Sequence, residues 1–245
     1  AFALAVLIHV VLIVLSGFVI RHRDENVRRP LRLAAVFSNA GFMGIPLEQA
    51  ILGDAGVFYG VVYIVVFNLF MWSWGYGVMQ NSSALSTRYQ ALSTKMWVNP
   101  GTVGLALGAP FFFLSVKLPT IIGMPIHHMA NLNTPLAMIV IGYALAGAEF
   151  GKVLRTGAVY VATVARLVAC PLLAIAALYP LRQTLDRNMM LATVIAASAP
   201  VAAMVSMFAN KFNRDVDVSV AVVSGTTLLS ILTMPVVIAF AMGVL

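Results

Sequence analysis

The sequence predicts an all-α integral membrane protein built from two inverted repeats of helices. Three observations support this prediction. Of the 245 residues, 61% are hydrophobic and 9% are charged, and the mean hydropathy is +0.97, a composition typical of membrane proteins. The apolar residues fall into runs of about 20, the length that crosses a bilayer as a helix. Two of these runs are interrupted near their middle by proline and small polar residues.

Helix-length apolar runs follow one another along the chain and predict eight spans. They cover residues 2–20, 31–52, 55–79, 98–115, 132–149, 155–178, 188–210 and 216–243. Because cytoplasmic loops are enriched in Lys and Arg, we place the connection after the first span inside, which puts eleven of the fifteen basic residues inside and three outside. This pattern predicts a multi-pass protein of the cell (inner) membrane. It accounts for the net charge of +7 without a nucleic-acid partner.

The two interrupted runs predict broken helices. Residues 37–46 read Phe-Ser-Asn-Ala-Gly-Phe-Met-Gly-Ile-Pro, and Pro46 has no amide hydrogen, so a regular helix is expected to break or kink here. The run 188–210 has Ser198-Ala199-Pro200 at its middle. Backbone groups freed by a break are tolerated inside a bilayer only against protein or a watery cavity, and transporters use such breaks to hold substrate. The pattern therefore predicts a carrier whose site lies at the two breaks.

The position of the breaks predicts a repeat. The longest polar connection, residues 80–97, is expected to be a cytoplasmic linker between two halves. Three spans precede it, of which the second is broken, and five follow it, of which the fourth is broken. Aligning the broken helices implies two further spans ahead of Ala1, which itself begins inside an apolar run. We therefore expect an inverted-repeat transporter of five plus five helices, with the first two helices missing from this sequence.

Residues 38–47, Ser-Asn-Ala-Gly-Phe-Met-Gly-Ile-Pro-Leu, resemble the first crossover helix of the auxin efflux carrier family, which includes plant PIN-FORMED proteins and bacterial organic-acid permeases. Residues 197–203, 224–230 and 234–235 are similar to the second crossover and the last helix of that family, and the short linker is similar to its bacterial members. The resemblance implies ten spans and alternating access at the point where the crossovers meet. It also implies a transport domain formed by residues 1–79 and 155–243, with residues 98–149 belonging to the scaffold.

The predicted substrate site comprises Ser38, Asn39, Gly41, Gly44, Pro46, Ser198, Ala199, Pro200 and Arg166. Asn39 offers an amide to a carboxylate, and the alternative is an Asn that only satisfies freed backbone carbonyls. Gly41 and Gly44 permit unusual backbone angles and close approach, or serve packing alone. Ser198 offers a hydroxyl unless it bonds to its own helix. Because half-helix N-termini present free amides and a positive dipole end, the expected ligand is a small organic anion.

Three ionisable residues within spans are further candidates. Arg166 is either the countercharge of the anion or an Arg that snorkels or holds the carbonyls of a broken helix. Glu48 is a candidate for coupling to H⁺ or Na⁺, with a solvated carboxylate near the headgroups as the alternative. His9 either relays protons or packs against a neighbouring helix. No cofactor or metal is expected, because the adjacent His127 and His128 have no further ligand at a metal spacing.

These features predict a secondary transporter of a small organic anion, such as a malate-, malonate- or auxin-like carboxylate. The alternatives are a sodium- or proton-coupled symporter or antiporter of similar fold, and a membrane sensor that binds ligand without moving it. The sequence contains neither an ATP-binding Gly-x-x-x-x-Gly-Lys loop nor a His-Glu-x-x-His or Gly-x-Ser-x-Gly motif, so an enzyme is not expected. Small residues four apart at 104 and 108 and at 147 and 151 favour helix packing, with a homodimer contact as the alternative.

Overall fold

Two broken helices lie at the centre of the fold, and the other helices pack around them. The computed structural model describes residues 1–80, 100–114, 116, 118–132, 135–136, 139, 142–143, 146 and 156–245. These residues are helical apart from their connections and one isolated antiparallel backbone bridge. The predicted all-α membrane fold is confirmed.

The first part of the chain carries the first broken helix. Its elements are α1 (Phe2–Val19), α2 (Glu25–Val36), a π-helical turn (Ala40–Gly44), α3 (Ile45–Leu52), α4 (Asp54–Phe70), a second π-helical turn (Met71–Gly75) and α5 (Tyr76–Met79). Two further helices, α6 (Pro100–Phe113) and α7 (Thr120–Asn131), follow. We call α2 and α3, with the residues between them, the first broken helix.

The second broken helix belongs to the last part of the chain. The elements there are α8 (Gly157–Val164), a third π-helical turn (Ala165–Ala169), α9 (Cys170–Leu178), a short 3-10 turn (Tyr179–Leu181), α10 (Arg187–Ser198), α11 (Met204–Lys211) and α12 (Val216–Val244). We call α10 and α11, with the residues between them, the second broken helix.

Within the described residues, four of the predicted spans form helices that are long and apolar enough to cross a membrane. They are Phe2–Val19, Asp54–Met79, Gly157–Leu181 and Val216–Val244. The predicted spans 31–52 and 188–210 are the two broken helices. In the predicted span 98–115 the described helix is the 14-residue α6, which is shorter than a regular spanning helix. Most of the predicted span 132–149 and of the predicted linker 80–97 lies outside the described residues.

The second broken helix forms much of the core. Every residue from Met190 to Ala202 is buried, and α10 lies against α4, α9 and α12. Small side chains make this possible, because Ala192, Ala196 and Ala197 let neighbouring helices approach on several sides. The polar interruptions predicted from the sequence are therefore enclosed by protein rather than exposed to lipid.

Arginine side chains tie three segments together at one end of the fold. Arg214 donates from Nε and Nη2 to the carbonyl of Met79, at 2.9 and 2.7 Å, and from Nη1 to the side-chain oxygen of Asn26 at 2.9 Å. Arg29 donates to the carbonyls of Val78 and Gln80. Since carbonyls at a helix C-terminus lack intrahelical donors, these arginines cap α5 and hold it against the start of α2. The basic segments around residues 21–32 and 211–214 thus share one end of the molecule.

The turn between α3 and α4 brings these helices into close contact. Gly53 adopts φ 66°, in the region that favours glycine, and reverses the chain. A Cβ atom at Gly56 would lie 2.6 Å from Leu52 Cβ and 2.9 Å from the carbonyl oxygen of Glu48. A Cβ atom at Gly60 would overlap the Glu48 carboxylate. Gly56 and Gly60 thus form a small-xxx-small pair on the face of α4 that packs against α3.

We predict that Gly56→Ala destabilises the protein by about 1–3 kcal/mol, because the new methyl group meets backbone and Cβ atoms that cannot swing away. Gly225→Ala in α12 is the matched control, since a Cβ atom there meets nothing within 4 Å. Alanine is preferred over glycine in a helix, so the control is expected to be neutral or stabilising. Thermal unfolding of the two purified variants measures the difference, and equal midpoints would contradict the close α3–α4 contact.

Candidate functional site

The two broken helices cross at their interruptions and pair there as extended backbone. Ser38 and Val201 form an antiparallel bridge. The amide of Asn39 donates to the carbonyl of Pro200 at 2.6 Å, and the amide of Ala202 donates to the carbonyl of Phe37 at 3.0 Å. Each break thus satisfies backbone groups of the other, which a bilayer interior requires.

The two breaks have different local causes. Ala199 is extended, with ψ 147°, as expected for a residue that precedes a proline. The first break lies at residues 37–39, several residues before Pro46, and a π-helical turn separates them. Pro46 occupies the first turn of α3, where a missing amide hydrogen costs nothing. The first broken helix is therefore interrupted within the predicted segment. The interruption lies N-terminal to Pro46, the residue from which it was predicted.

Thr226 on α12 supports the second break from the side. The amide of Val201 donates to Thr226 Oγ1 at 3.1 Å, and this hydroxyl donates to the carbonyl of Val222 at 2.7 Å. One side chain therefore satisfies a backbone amide that the interruption leaves outside any helix. The predicted site did not include Thr226, although its position in the 224–230 motif was a signal for it.

Arg166 caps both broken helices from a single position. It is fully buried in the π-helical turn between α8 and α9. Its Nη1 donates to the carbonyl of Val36 at 2.9 Å and to that of Ala35 at 3.5 Å, and its Nη2 donates to the carbonyl of Ala197. These are the C-terminal carbonyls of α2 and α10, where the helix dipoles favour a cation. Of the two roles open to Arg166, the contacts are those of an arginine that holds carbonyls, and its role as substrate countercharge stays a prediction.

Asn39 carries a free side-chain amide at the crossing. The side chain is 3% exposed, and Nδ2 has no hydrogen-bond partner among the described residues. Its backbone carbonyl accepts from Met43 and Gly44 at 3.1 and 3.3 Å and so begins the π-helical turn. Ser38 and Tyr63 are also buried, and their hydroxyl groups interact with each other. A buried amide costs free energy when it is unpaired, so this group is available to a ligand.

The other predicted residues of the two breaks are already satisfied or play a backbone role. Ser198 Oγ donates to the carbonyl of Ile195 at 2.9 Å in its own helix, which is the alternative that the sequence left open. Ala199 and Pro200 are buried in the extended segment. Gly41 is exposed and Gly44 is buried, and neither has a positive φ, so the expectation of unusual backbone angles at these glycines is wrong.

Glu48 is fully buried, so the alternative of a solvated carboxylate near the headgroups is wrong. Neither carboxylate oxygen has a hydrogen-bond partner among the described residues. The carboxylate lies over Gly60 of α4, where the missing side chain provides the space, and close to Gly44. Gly60 was not among the residues predicted for the site, although the four-residue spacing from Gly56 to Gly60 was a usable signal.

His9 lies on α1 within an aromatic cluster. Its ring stacks on Phe70 at 5.5 Å between centroids and lies 5.0 Å from the ring of Tyr63 and 6.1 Å from that of Phe37. Its Nδ1 is 2.8 Å from the carbonyl oxygen of Ala5, whereas Nε2 is buried without a partner in the described part of the chain. These contacts provide packing against neighbouring helices, and a role in proton relay stays a prediction.

The sequence of this chain also matches a known protein family. A family model described as membrane transport protein, the auxin efflux carrier domain, matches residues 1–92 and 87–238. The chain belongs to the auxin efflux carrier family. No curated protein matches it at a significant level. The resemblance seen in residues 38–47 is confirmed, and this member of the family is a multi-pass membrane protein of a transporter family.

In this family member, charge is distributed unevenly around the crossing. The carbonyl ends of α2 and α10 are covered by Arg166. On the other side, the amides of residues 40–42 precede the first backbone hydrogen bond of the π-helical turn, and those of residues 203–204 precede the first bond of α11. Amide ends carry partial positive charge, whereas the partly negative carbonyl ends are already covered by the Arg166 cation. The arrangement suits a negatively charged ligand.

We predict that Arg166→Gln destabilises this carrier-family protein by about 3–5 kcal/mol, because carbonyls of two half-helices lose a charged donor inside the protein. Arg182→Gln is the matched control, since Arg182 is exposed and stacks on Tyr179. Thermal unfolding gives the stability of each variant. If Arg166→Gln unfolds like the control but loses affinity for dianions, Arg166 is a countercharge and not a cap.

Proposed function

We propose that the protein is a secondary transporter that moves a small organic anion, a carboxylate or dicarboxylate, by alternating access at the crossing of the broken helices. The observation that carries the proposal is the buried, unpartnered amide of Asn39 beside the amide ends of the π-helical turn and α11. The family match supports transport in general, and the chemistry of the crossing favours an anion. The proposal places the protein in the inner cell membrane, with a homodimer as its candidate assembly.

The preference for an anion follows from what surrounds Asn39. An amide Nδ2 donates two hydrogen bonds, and a carboxylate accepts them with charge-assisted strength. The positive dipole ends of two half-helices add attraction for the same charge. Arg166 prevents the opposite dipole ends from cancelling this field, because it covers their carbonyls. Arg166 thus favours the anion from a distance even though its Nη1 and Nη2 atoms donate to the backbone.

The approach to Asn39 is through the π-helical turn that follows it. Gly41 is exposed, and Phe42 and Met43 are half-buried, whereas Asn39 and Ala40 are buried. The free amide therefore lies just beneath the protein surface. We propose that movement of the paired broken helices as one unit exposes Asn39 first to one side of the membrane and then to the other, which is the requirement of alternating access.

We predict that Asn39→Ala weakens carboxylate binding by about ten- to a hundredfold, because one charge-assisted pair of hydrogen bonds is lost. Asn68→Ala is the matched control, since Asn68 Nδ2 donates to the carbonyl of Ile64 in its own helix at 3.0 Å and is not at the crossing. Affinity for malate-like acids is measured by thermal stabilisation, and flux is measured in proteoliposomes.

The results separate three outcomes. Loss of both binding and flux in Asn39→Ala, with the control unchanged, supports the proposed site. Saturable binding without flux in the wild-type protein identifies a membrane sensor. Unchanged affinity in a folded Asn39→Ala variant removes Asn39 from the site.

We further propose that transport is coupled to protons through Glu48. A fully buried carboxyl group with two unpartnered oxygens is costly as an anion and is expected to exchange a proton. Sodium requires several oxygen ligands at once, and the Glu48 carboxylate, which lies over Gly60 and close to Gly44, has no hydrogen-bond partner among the described residues. The geometry around Glu48 therefore favours H⁺ over Na⁺.

The charged groups around Glu48 are few. Among the titratable side chains described on the packed helices, Tyr63 of α4 interacts electrostatically with Glu48. Helix α4 also carries Asp54 and Tyr59, and α10 contributes Arg187 at its first residue. None of these forms an ion pair with Glu48 among the described residues. Proton exchange at Glu48 therefore depends on how far the carboxyl group is buried at each stage of transport.

We predict that Glu48→Gln abolishes the accumulation of substrate driven by a pH gradient while preserving exchange of labelled for unlabelled substrate. Glutamine keeps the shape of the side chain over Gly60 but cannot release a proton. Gln49→Ala, one residue along and exposed, serves as the control. Uptake into proteoliposomes with and without a pH gradient measures the coupling. If Glu48→Gln still responds to the gradient as the wild type does, the coupling site lies elsewhere.

A further inference from the structure

A basic cavity of about 470 Å³ lies where the end of α1 meets the start of α2, away from the crossing of the broken helices. Four arginines and a histidine line it, together with Gly17 and Ile20. They are Arg21, His22, Arg23, Arg28 and Arg32. No carboxylate of the described residues lines this cavity. A site with this lining attracts an anion.

The arginines are held in place by contacts that leave their charge unbalanced. Arg21 Nε donates to the carbonyl of Phe18 at 3.0 Å. The guanidinium of Arg32 lies 5.6 Å from the centre of the Trp74 ring and comes close to Gly17, where a Cβ atom would be 3.4 Å from Nη2. The Nε atoms of Arg28 and Arg32 are buried without a hydrogen-bond partner among the described residues. Both side chains nevertheless line the cavity, so they contribute positive charge to it.

One acidic side chain is close, and it serves two arginines. Glu25 pairs with Arg28 at 2.7 Å and also with Arg29, which lies outside the cavity lining. The hydrogen bond from Arg29 keeps the pKa of the Glu25 carboxyl below its usual range, so Glu25 stays charged near neutral pH. Asp24 accepts from the amide of Asn26 at 2.8 Å and caps α2. Positive charge therefore remains in excess.

We propose that this cavity binds the phosphate of an anionic phospholipid headgroup at the inner membrane surface. Guanidinium groups match phosphate oxygens with paired hydrogen bonds, and basic pockets between membrane helices on the cytoplasmic side are suited to such headgroups. The positive-inside distribution of Lys and Arg predicts that this end of α1 faces the cytoplasm.

The surface next to the cavity favours a lipid over free phosphate. Helix α1 is a membrane span, and it carries an exposed apolar stripe of Leu7, Val11, Val14 and Phe18. The spacing of these residues puts them on one face, and Phe18, 65% exposed, is one residue from Gly17 in the cavity wall. A headgroup in the cavity therefore leaves its acyl chains along this stripe. Inorganic phosphate gains nothing from it.

The test uses delipidated protein and measures thermal stabilisation by three probes. They are short-chain phosphatidylglycerol, short-chain phosphatidylcholine and inorganic phosphate. The variant Arg21→Gln/Arg23→Gln removes two cavity charges that no described ion pair uses. Arg182→Gln, distant in sequence and exposed, is the control for a lost charge. The phosphatidylglycerol affinity is expected to fall by about fivefold for each lost arginine in the double variant and to stay unchanged in the control.

Each result decides the proposal. Stabilisation by phosphatidylglycerol but not by phosphatidylcholine, with the loss in the double variant, supports a lipid headgroup site. Equal stabilisation by both lipids overturns it, as does a double variant that binds phosphatidylglycerol like the wild type. A shift of the same size with inorganic phosphate alone identifies a free-anion site and overturns the assignment to lipid.

Discussion

The hydrogen bonds of Arg166 to two broken helices are the interaction on which the centre of the fold depends. A helix that ends within a membrane leaves carbonyls without donors, and here two helices end at the same place. One guanidinium group reaches Val36 and Ala197, which are separated by more than half of the chain. The backbone bridge at Ser38 and Val201 satisfies groups that the guanidinium does not reach. The two broken helices are therefore stable inside the protein only while their interruptions are paired with each other.

This pairing also limits how the protein can move. The bridge joins the two broken helices, Arg166 joins them to α8 and α9, and Thr226 joins them to α12. Separating any of these elements would expose bare backbone groups inside the membrane. We therefore expect these elements to move together as a unit, as the predicted transport domain of residues 1–79 and 155–243 requires. For the proposed transporter, alternating access would then require movement of this unit against other parts of the protein.

The sequence predicted the fold better than the local geometry of its helices. Length and hydropathy were sufficient for α1, the α4–α5 segment, the α8–α9 segment and α12, because a span is a local property of about 20 residues. Proline was a less certain guide to breaks. Pro235 lies inside the continuous α12, and the first break precedes Pro46. A proline disrupts a helix only where neighbouring groups satisfy the freed backbone, and those neighbours are distant in sequence.

The site was predicted as a set of residues whose individual states depend on such distant partners. Ser198 Oγ and the Nη1 and Nη2 atoms of Arg166 donate to backbone carbonyls, whereas Asn39 Nδ2 and both carboxylate oxygens of Glu48 have no partner among the described residues. All four have side chains suited to binding, so residue type alone does not separate them. The difference arises because α2 and α10 supply carbonyl acceptors to Arg166 and Ser198, while Gly60 supplies only space to Glu48. Unused hydrogen-bonding capacity in a buried place is costly, and its retention at Asn39 and Glu48 is the physical reason to assign ligand and proton to these two residues.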